Sequence, residues 1–189
     1  MLACCGPLLG KESVWAKKNL FGQFFFESSY KLASLDQSEL STMLKVYLTL
    51  YPKETEASVK LSVLYKKYKS LIVGGERYGS TAGSRLCPYA RIIASWCDNN
   101  GIVNPGMMRP AIIRYFIVHS VEIKGQQSIH AFAGLDWLKS SEQDFGYGNP
   151  LSVWFAKDFE NAGPASFLPV QRIHSKFYLL VNFILDRST

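Results

Sequence analysis

The sequence predicts a mostly β fold, a small distorted β barrel or sandwich preceded by an N-terminal helical hairpin, so that the chain is α+β overall. Two observations predict it. Short apolar runs recur about ten residues apart in the second half, between Gly, Asn and Pro turns, which is typical of small β domains. The segments before them carry apolar residues at helical spacing. At 189 residues, with 48% hydrophobic and 19% charged residues, the chain fits one domain with a buried core.

The helical hairpin is predicted within an N-terminal region that spans residues 1–70. Residues 34–51 form its clearest helix, because Leu40, Met43, Leu44, Tyr47, Leu48 and Tyr51 fall on one stripe. Ser34 followed by Gln37 fits a capping box, and Pro52 ends the helix. A weaker second helix is predicted over residues 54–69, with Val59, Leu64, Tyr65, Tyr68 and Leu71 on its apolar side.

Residues 71–177 are predicted as the β-rich domain. Gly74 and Gly75 form a tight turn after the first short apolar run. Further strands are predicted at residues 91–96, 112–123, 129–138, 151–155 and 167–177. The strands at 112–123 and 129–138 are antiparallel mates across a turn at Gly125-Gln126. The last residues, 178–189, form an apolar tail that either packs as a final strand or helix or belongs to something longer.

The composition favours an intracellular protein away from the membrane. No apolar run approaches the roughly 18 residues of a membrane span, and the first ten residues make a poor signal peptide. Four cysteines in such a chain indicate a reducing compartment and free thiols. Cys4 and Cys5 form at most a lone acylation signal, against the alternative of two exposed or loosely packed thiols.

The net charge of +6 is concentrated in one segment. Residues 1–59 hold equal numbers of bases and acids, and so do residues 92–189. The excess lies between them, against Glu76 alone, in Lys60, Lys66, Lys67, Lys69, Arg77, Arg85 and Arg91. Tyrosines interleave with these bases, so the segment predicts a nucleic-acid-binding surface. The alternative is a solvated helix face whose tyrosines belong to the core.

No motif supports catalysis, a metal or a cofactor, so we predict a protein that is not an enzyme. The stretch at residues 74–80 is glycine-rich but lacks the spacing of a phosphate or dinucleotide loop, which favours a hairpin turn. Cys87, Cys97, His119 and His130 have no zinc-site spacing, and packing is the competing interpretation. Cys97, His119 and Asp136 are the candidates for a nucleophilic triad, without a nucleophile elbow to support them.

The β-rich part carries short motifs in a recognisable order. These are Tyr115-Phe116, a strand through residues 132–138, residues 150–155, an acidic turn at 158–160, residues 167–173 and Lys176-Phe177. This order resembles the bromo-adjacent homology domain, a β-rich module of chromatin proteins. The chain departs from that family at Ser152, where the family usually has Glu. Residues 79–96 followed by this core are also similar to uncharacterised invertebrate proteins of mobile-element type, which implies no defined activity.

Together these observations predict a non-enzymatic module that engages nucleic acid or chromatin through the basic segment, which implies a nuclear location. The alternative is a protein–protein interaction module of a larger mobile-element-derived protein, with Trp137 and Trp154 as aromatic contact residues. The competing interpretation of both tryptophans, and of Trp96, is that they are core or rim residues whose NH groups bond to nearby backbone.

Overall fold

A computed structural model describes residues 24–26, 29–84, 88–97, 103–140, 154–160 and 163–177. The predicted tail and Cys4, Cys5, Cys87 and Arg85 lie outside them. The elements are β1 (Phe24–Phe26), β2 (Lys31–Ser34), α1 (Gln37–Leu50), β3 (Val59–Tyr68), β4 (Leu71–Val73), β5 (Glu76–Tyr78), β6 (Arg91–Cys97), β7 (Val103–Ile123), β8 (Gln126–Ser140), β9 (Trp154–Phe159), β10 (Phe167–Pro169) and β11 (Ile173–Lys176). The predicted mostly β class is confirmed, with one α-helix among these residues.

The long antiparallel hairpin of β7 and β8 organises the sheet. It runs from Ile123 opposite Gln126 to Ala111 opposite Trp137, and its turn is Lys124-Gly125, one residue earlier than predicted. One edge of β7 pairs first with β6 and then with β3, while β8 pairs with β10 and β9. β2 pairs with β3 and β11 with β6, and β1, β4 and β5 form a separate three-stranded sheet. Among the described residues these pairings do not close into a barrel.

The predicted second helix is wrong, because residues 59–68 form strand β3. Val59 pairs with Ile123 and Tyr68 with Phe116 across β7. The register shifts by two residues between Leu61 and Tyr65, which keeps Val59 and Tyr65, at their even spacing, buried in the same core. The irregularity disturbs the alternation of a regular strand and leaves an apolar spacing that also fits a helix.

Helix α1 is confirmed, but its cap lies two residues later than predicted. Ser34 is the last residue of β2 and pairs with Leu64. The Asp36 carboxylate accepts a 2.8 Å hydrogen bond from the Glu39 amide, and the Glu39 carboxylate accepts one from the Asp36 amide at 3.1 Å. This reciprocal capping box satisfies two helix-end donors. The strand pairing therefore decides where the helix begins.

Two apolar cores lie on opposite faces of the β3-β7-β8 part of the sheet. Helix α1 covers one face with Met43, Val46 and Tyr47. The three-stranded sheet, β6 and the segment around β10 contribute to the other core. At Arg114 the register of β7 shifts by one residue, so Ile113 and Tyr115 face different cores although they are two positions apart. This bulge lets one long strand serve both cores.

The Tyr115 ring lies directly against Gly134 on the neighbouring strand. A Cβ atom at Gly134 would lie 2.7 Å from Cε2 and 2.9 Å from Cζ of Tyr115. We expect Gly134→Ala to lower the free energy of unfolding by about 1–3 kcal/mol, because the ring must leave its position. Urea denaturation measures this cost. In the double variant with Tyr115→Leu the added cost should shrink, and an unchanged midpoint in Gly134→Ala would contradict the contact.

Candidate nucleic-acid interface

Four lysines lie at one edge of the sheet, where β2 pairs with β3, and they are divided between its two faces. Lys31 lies directly opposite Lys67, and Leu32 lies opposite Lys66. Lys69 follows the end of β3. We call Lys31, Lys66, Lys67 and Lys69 the basic edge. Three of the four belong to the predicted basic segment, whereas Lys31 comes from a region whose charges cancel in the sequence and is brought in by strand pairing alone.

Two of the four lysines of the basic edge, Lys66 and Lys67, lie over tyrosine rings. Successive residues of a strand point to opposite faces, so Lys66 and Lys67 lie on different sides of the sheet. The Nζ atom of Lys67 lies 4.1 Å from the centre of the Tyr115 ring, and that of Lys66 lies 5.3 Å from the Tyr30 ring. These cation–π contacts hold the amines near the edge without neutralising them.

No carboxylate among the described residues forms an ion pair with any lysine of the basic edge. Other cations of the sheet are paired: Lys60 with Glu122 at 2.9 Å and Lys124 with Glu54 at 2.7 Å. Like charges placed directly opposite each other across two strands are destabilising. A bound anion would therefore relieve the charge repulsion between Lys31 and Lys67.

The rest of the predicted basic segment is distributed over the molecule. Lys60 is neutralised by Glu122, Arg77 lies on β5 in the three-stranded sheet, and Arg91 lies at the start of β6. The helix assumed for residues 54–69 would have gathered lysines on one face. Because the segment is strand β3, its lysines point to both faces of the sheet and lie near both ends of the strand.

Tyr115 lies beside a second cation, Arg114, at the bulge. The Arg114 guanidinium is 5.3 Å from its ring centre, and the Nε atom of Arg114 is 3.2 Å from Oδ1 of Asp136. Burial raises the pKa of Tyr115 to about 12, so the phenol is neutral at physiological pH. Burial also raises the pKa of Asp136, which Arg114 counteracts. Arg114 is therefore paired with Asp136, whereas no lysine of the basic edge has an ion-pair partner among the described residues.

The candidate zinc and triad residues do not assemble. His119 and His130 are direct neighbours across β7 and β8, but Cys97 pairs with Val103 at the far end of β7. Asp136 lies six residues beyond His130 on β8, a strand distance of about 20 Å. Among the described residues there is no group of three or more His, Cys, Asp or Glu that could hold a metal ion.

Trp137 lies in the core, so its predicted role as a contact residue is wrong for this fold. Its side chain is 0% exposed, its Nε1 donates a 2.8 Å hydrogen bond to the Ala165 carbonyl, and the Trp96 ring packs edge-on against it at 4.9 Å. This position matches the alternative interpretation of Trp137 as a core residue whose NH group bonds to the backbone. Trp154 is half-buried on β9, where its ring lies 5.1 Å from the guanidinium of Arg109.

Arg109 joins β7 to β9 and to the residue that follows it. Its guanidinium lies between the rings of Trp96, at 4.2 Å, and Trp154. It forms a two-pronged ion pair with the carboxylate of Glu160, one contact of which is 3.1 Å long, and donates to the Leu138 carbonyl at 3.4 Å. We call these four side chains, Trp96, Arg109, Trp154 and Glu160, the arginine clamp. The sequence offered no signal for it.

Apolar side chains are exposed beside the basic edge. Leu32 on β2 is 63% exposed, and Leu64 on β3 is 52% exposed. Within the described part of the chain, β2 pairs only with β3, so its outer edge meets no other described strand. An edge strand with exposed apolar side chains is a template for pairing with another chain, and Lys31 is the type of residue that limits such pairing.

Comparison of the chain with protein-family models, with curated proteins and with solved structures finds no match. The resemblance to the bromo-adjacent homology domain stays a prediction. No helix among the described residues is both long and apolar enough to cross a membrane.

Proposed function

We propose that this chain is a binding module that engages nucleic acid through the basic edge. The observation that carries the proposal is the direct opposition of Lys31 and Lys67, with Lys66 and Lys69 beside them and no carboxylate of the described residues in ion-pair distance. A phosphate backbone would supply the missing anions. Its binding to lysines releases condensed counterions, which gives affinity without sequence readout.

The proposal extends to chromatin and to a nuclear location. It assigns no catalytic step to the chain. Tyr30 is half-exposed beside Lys66 and supports nucleic-acid binding, because an aromatic ring next to a cation is a common platform for an unpaired base. Affinity is therefore expected to come from phosphate contacts, with stacking as a smaller, sequence-tolerant contribution.

The test is the salt dependence of binding by the full chain to fluorescein-labelled duplex DNA and to a single strand of the same sequence. Each lysine–phosphate contact contributes about 0.9 to the slope of log affinity against log salt on duplex DNA. We expect Lys31→Gln with Lys67→Gln to reduce that slope by about 2 and to weaken binding most at low salt. Fluorescence anisotropy measures both quantities.

The matched control is Lys45→Gln with Lys53→Gln. Both lysines are exposed, one on α1 and one just after it, and the double change removes the same net charge. It should leave the slope unchanged. Equal losses in both double variants would show a general charge effect, and a slope near zero in the unchanged protein would overturn the proposal.

A protein partner that adds a strand beside β2 is the second candidate, favoured by the exposure of Leu32 and Leu64. Main-chain pairing would supply affinity, and the alternate side chains would supply specificity. Such binding differs from the first candidate in its response to salt. Peptides from a random displayed library that bind at high salt, and that lose binding in Leu32→Ser but not in Lys31→Gln with Lys67→Gln, would select this candidate.

A further inference from the structure

Two histidines face each other beneath helix α1. His119 on β7 lies directly opposite His130 on β8, and paired residues of adjacent strands point to the same face. That face also carries Ile117, Val121 and Phe132, which form the core beneath α1. His119 is buried and His130 is partly buried. The pair therefore lies at the contact between the helix and the sheet.

Each imidazole is bonded to a tyrosine of the helix or of its C-terminal cap. The Tyr47 hydroxyl lies 2.9 Å from Nδ1 of His119, and the Tyr51 hydroxyl lies 2.9 Å from Nε2 of His130. The two tyrosines are four residues apart and so lie on the same side of α1. Two parallel hydroxyl–imidazole bonds thus tie the helix to the two central strands.

The Ser62 carbonyl fixes which ring nitrogen of His119 carries a proton in the neutral form. Nε2 lies 2.7 Å from the Ser62 carbonyl, an acceptor, so Nε2 carries the proton. Nδ1 then accepts from the Tyr47 hydroxyl. Burial lowers the pKa of His119 and outweighs the Ser62 carbonyl bond, which raises it. Burial together with the neighbouring His119 lowers the pKa of His130 to about 4. A proton added to either ring would place positive charge in this core, and a second would place two cations opposite each other.

The other titratable groups around the pair come from each element packed against it. Helix α1 and its cap contribute Tyr47 and Tyr51, whose pKa values are raised by burial, and β3 contributes Tyr65 opposite His119. The carboxylates at the ends of the helix are engaged. Glu39 caps the helix, and Glu54 is bonded to Lys124 and Ser58, which lower its pKa.

We propose that the His119–His130 pair is an acid-sensitive latch, in which protonation of the two imidazoles releases helix α1 from the sheet. Release hydrates both rings, removes the two tyrosine bonds and uncovers the apolar face that Ile117 and Phe132 share. The β7–β8 hairpin stays paired, because its strand hydrogen bonds and the second core on the opposite face do not depend on the helix. The latch is independent of the proposed function.

The direction of the pH dependence follows from linkage. Both pKa values are lower with the helix docked than with it released, so release takes up protons. Above the ordinary histidine pKa of about 6.5 the docked state is unaffected by pH. As the pH falls from there toward about 4, the released fraction rises by up to tenfold per pH unit for each histidine, and it levels off once both states are protonated.

The test is amide hydrogen exchange of the full chain as a function of pH, corrected for the intrinsic exchange rate. Peptides that cover residues 37–50 are compared with peptides that cover residues 111–137. We expect protection of the helix to fall by at least tenfold between neutral pH and the lower end of this window while the hairpin stays protected. His119→Gln with His130→Gln should remove the pH dependence of the helix, and His174→Gln, an exposed histidine on β11, should retain it.

Three results would overturn the latch: loss of protection in the helix and hairpin at one shared midpoint, an unchanged pH dependence in the double glutamine variant, or NMR titration of His119 and His130 at the ordinary histidine pKa of about 6.5. If the double variant fails to fold, Tyr51→Phe replaces it. That change removes one tyrosine bond and leaves both histidines, so the helix should exchange faster at neutral pH and keep its pH dependence.

Discussion

Replacing Trp137 by alanine is expected to lower the free energy of unfolding by about 3–5 kcal/mol, the usual cost of removing a fully buried large aromatic side chain. The side chain is 0% exposed among residues of the β7–β8 core, and its ring is the partner of Trp96. The alanine variant leaves a cavity in that core. It also leaves the Ala165 carbonyl without the indole donor that now satisfies it.

Equilibrium denaturation in urea, followed by circular dichroism, measures the loss. Trp137→Phe keeps an aromatic ring in the core but removes the NH donor and part of the indole volume, and we expect it to cost about 1–3 kcal/mol, less than the alanine change. Trp154→Ala is the comparison at a half-buried site and should cost less than Trp137→Ala. A loss below about 1 kcal/mol in Trp137→Ala would contradict the core position of this side chain.

Removal of the Arg109 side chain is expected to cost about 3 kcal/mol. Its side chain is only 10% exposed, stacks between two indole rings and is bonded to Glu160 and the Leu138 carbonyl. Arg109→Ala removes the packing and leaves the Glu160 carboxylate, at 31% exposure, without its cation. Both losses act on the attachment of β9, so this strand should exchange its amide hydrogens before the rest of the sheet.

Arg109→Met distinguishes packing from charge. The methionine side chain can fill much of the space between the indoles, but it cannot pair with Glu160. We expect Arg109→Met with Glu160→Gln to be more stable than Arg109→Met alone, because the second change removes a partly buried unpaired charge. The melting temperatures of the unchanged protein, Arg109→Met, Glu160→Gln and the double variant form a double-mutant cycle. Additive effects of the two changes would contradict the ion pair, because side chains in contact are energetically coupled.

The sequence was sufficient where local patterns and tertiary contacts agree. Helix α1 has an uninterrupted apolar stripe and a proline at its end, and the β7–β8 hairpin has two long apolar runs joined at Lys124-Gly125. Gly74 and Gly75 adopt φ values of +56° and +83°, a conformation that strongly favours glycine, so the turn between β4 and β5 was readable from its residues. In each case the physical cause lies within a few neighbouring residues.

The predictions from sequence were wrong where strand pairing overrides the local spacing of apolar residues. In β3 the apolar residues fit a helix only because a register shift breaks their alternation, and β7 supplies the hydrogen bonds that make the segment a strand. The helix cap moved from Ser34 to Asp36 for the same reason, since Ser34 belongs to β2. Neither partner strand can be identified from the segment itself.

The candidate nucleic-acid interface also has features that local patterns predict and features that depend on strand pairing. Composition and short-range periodicity were enough to predict the mostly β class, helix α1, the central hairpin and a local excess of positive charge. Which charges stay unpaired and which aromatic side chains are buried follows from the folded arrangement of the strands. That arrangement places Lys31 opposite Lys67, pairs Lys60 with Glu122 and buries Trp137. The reason is that an ion pair or a burial depends on which strands become neighbours, and this is fixed by contacts between residues far apart in the chain.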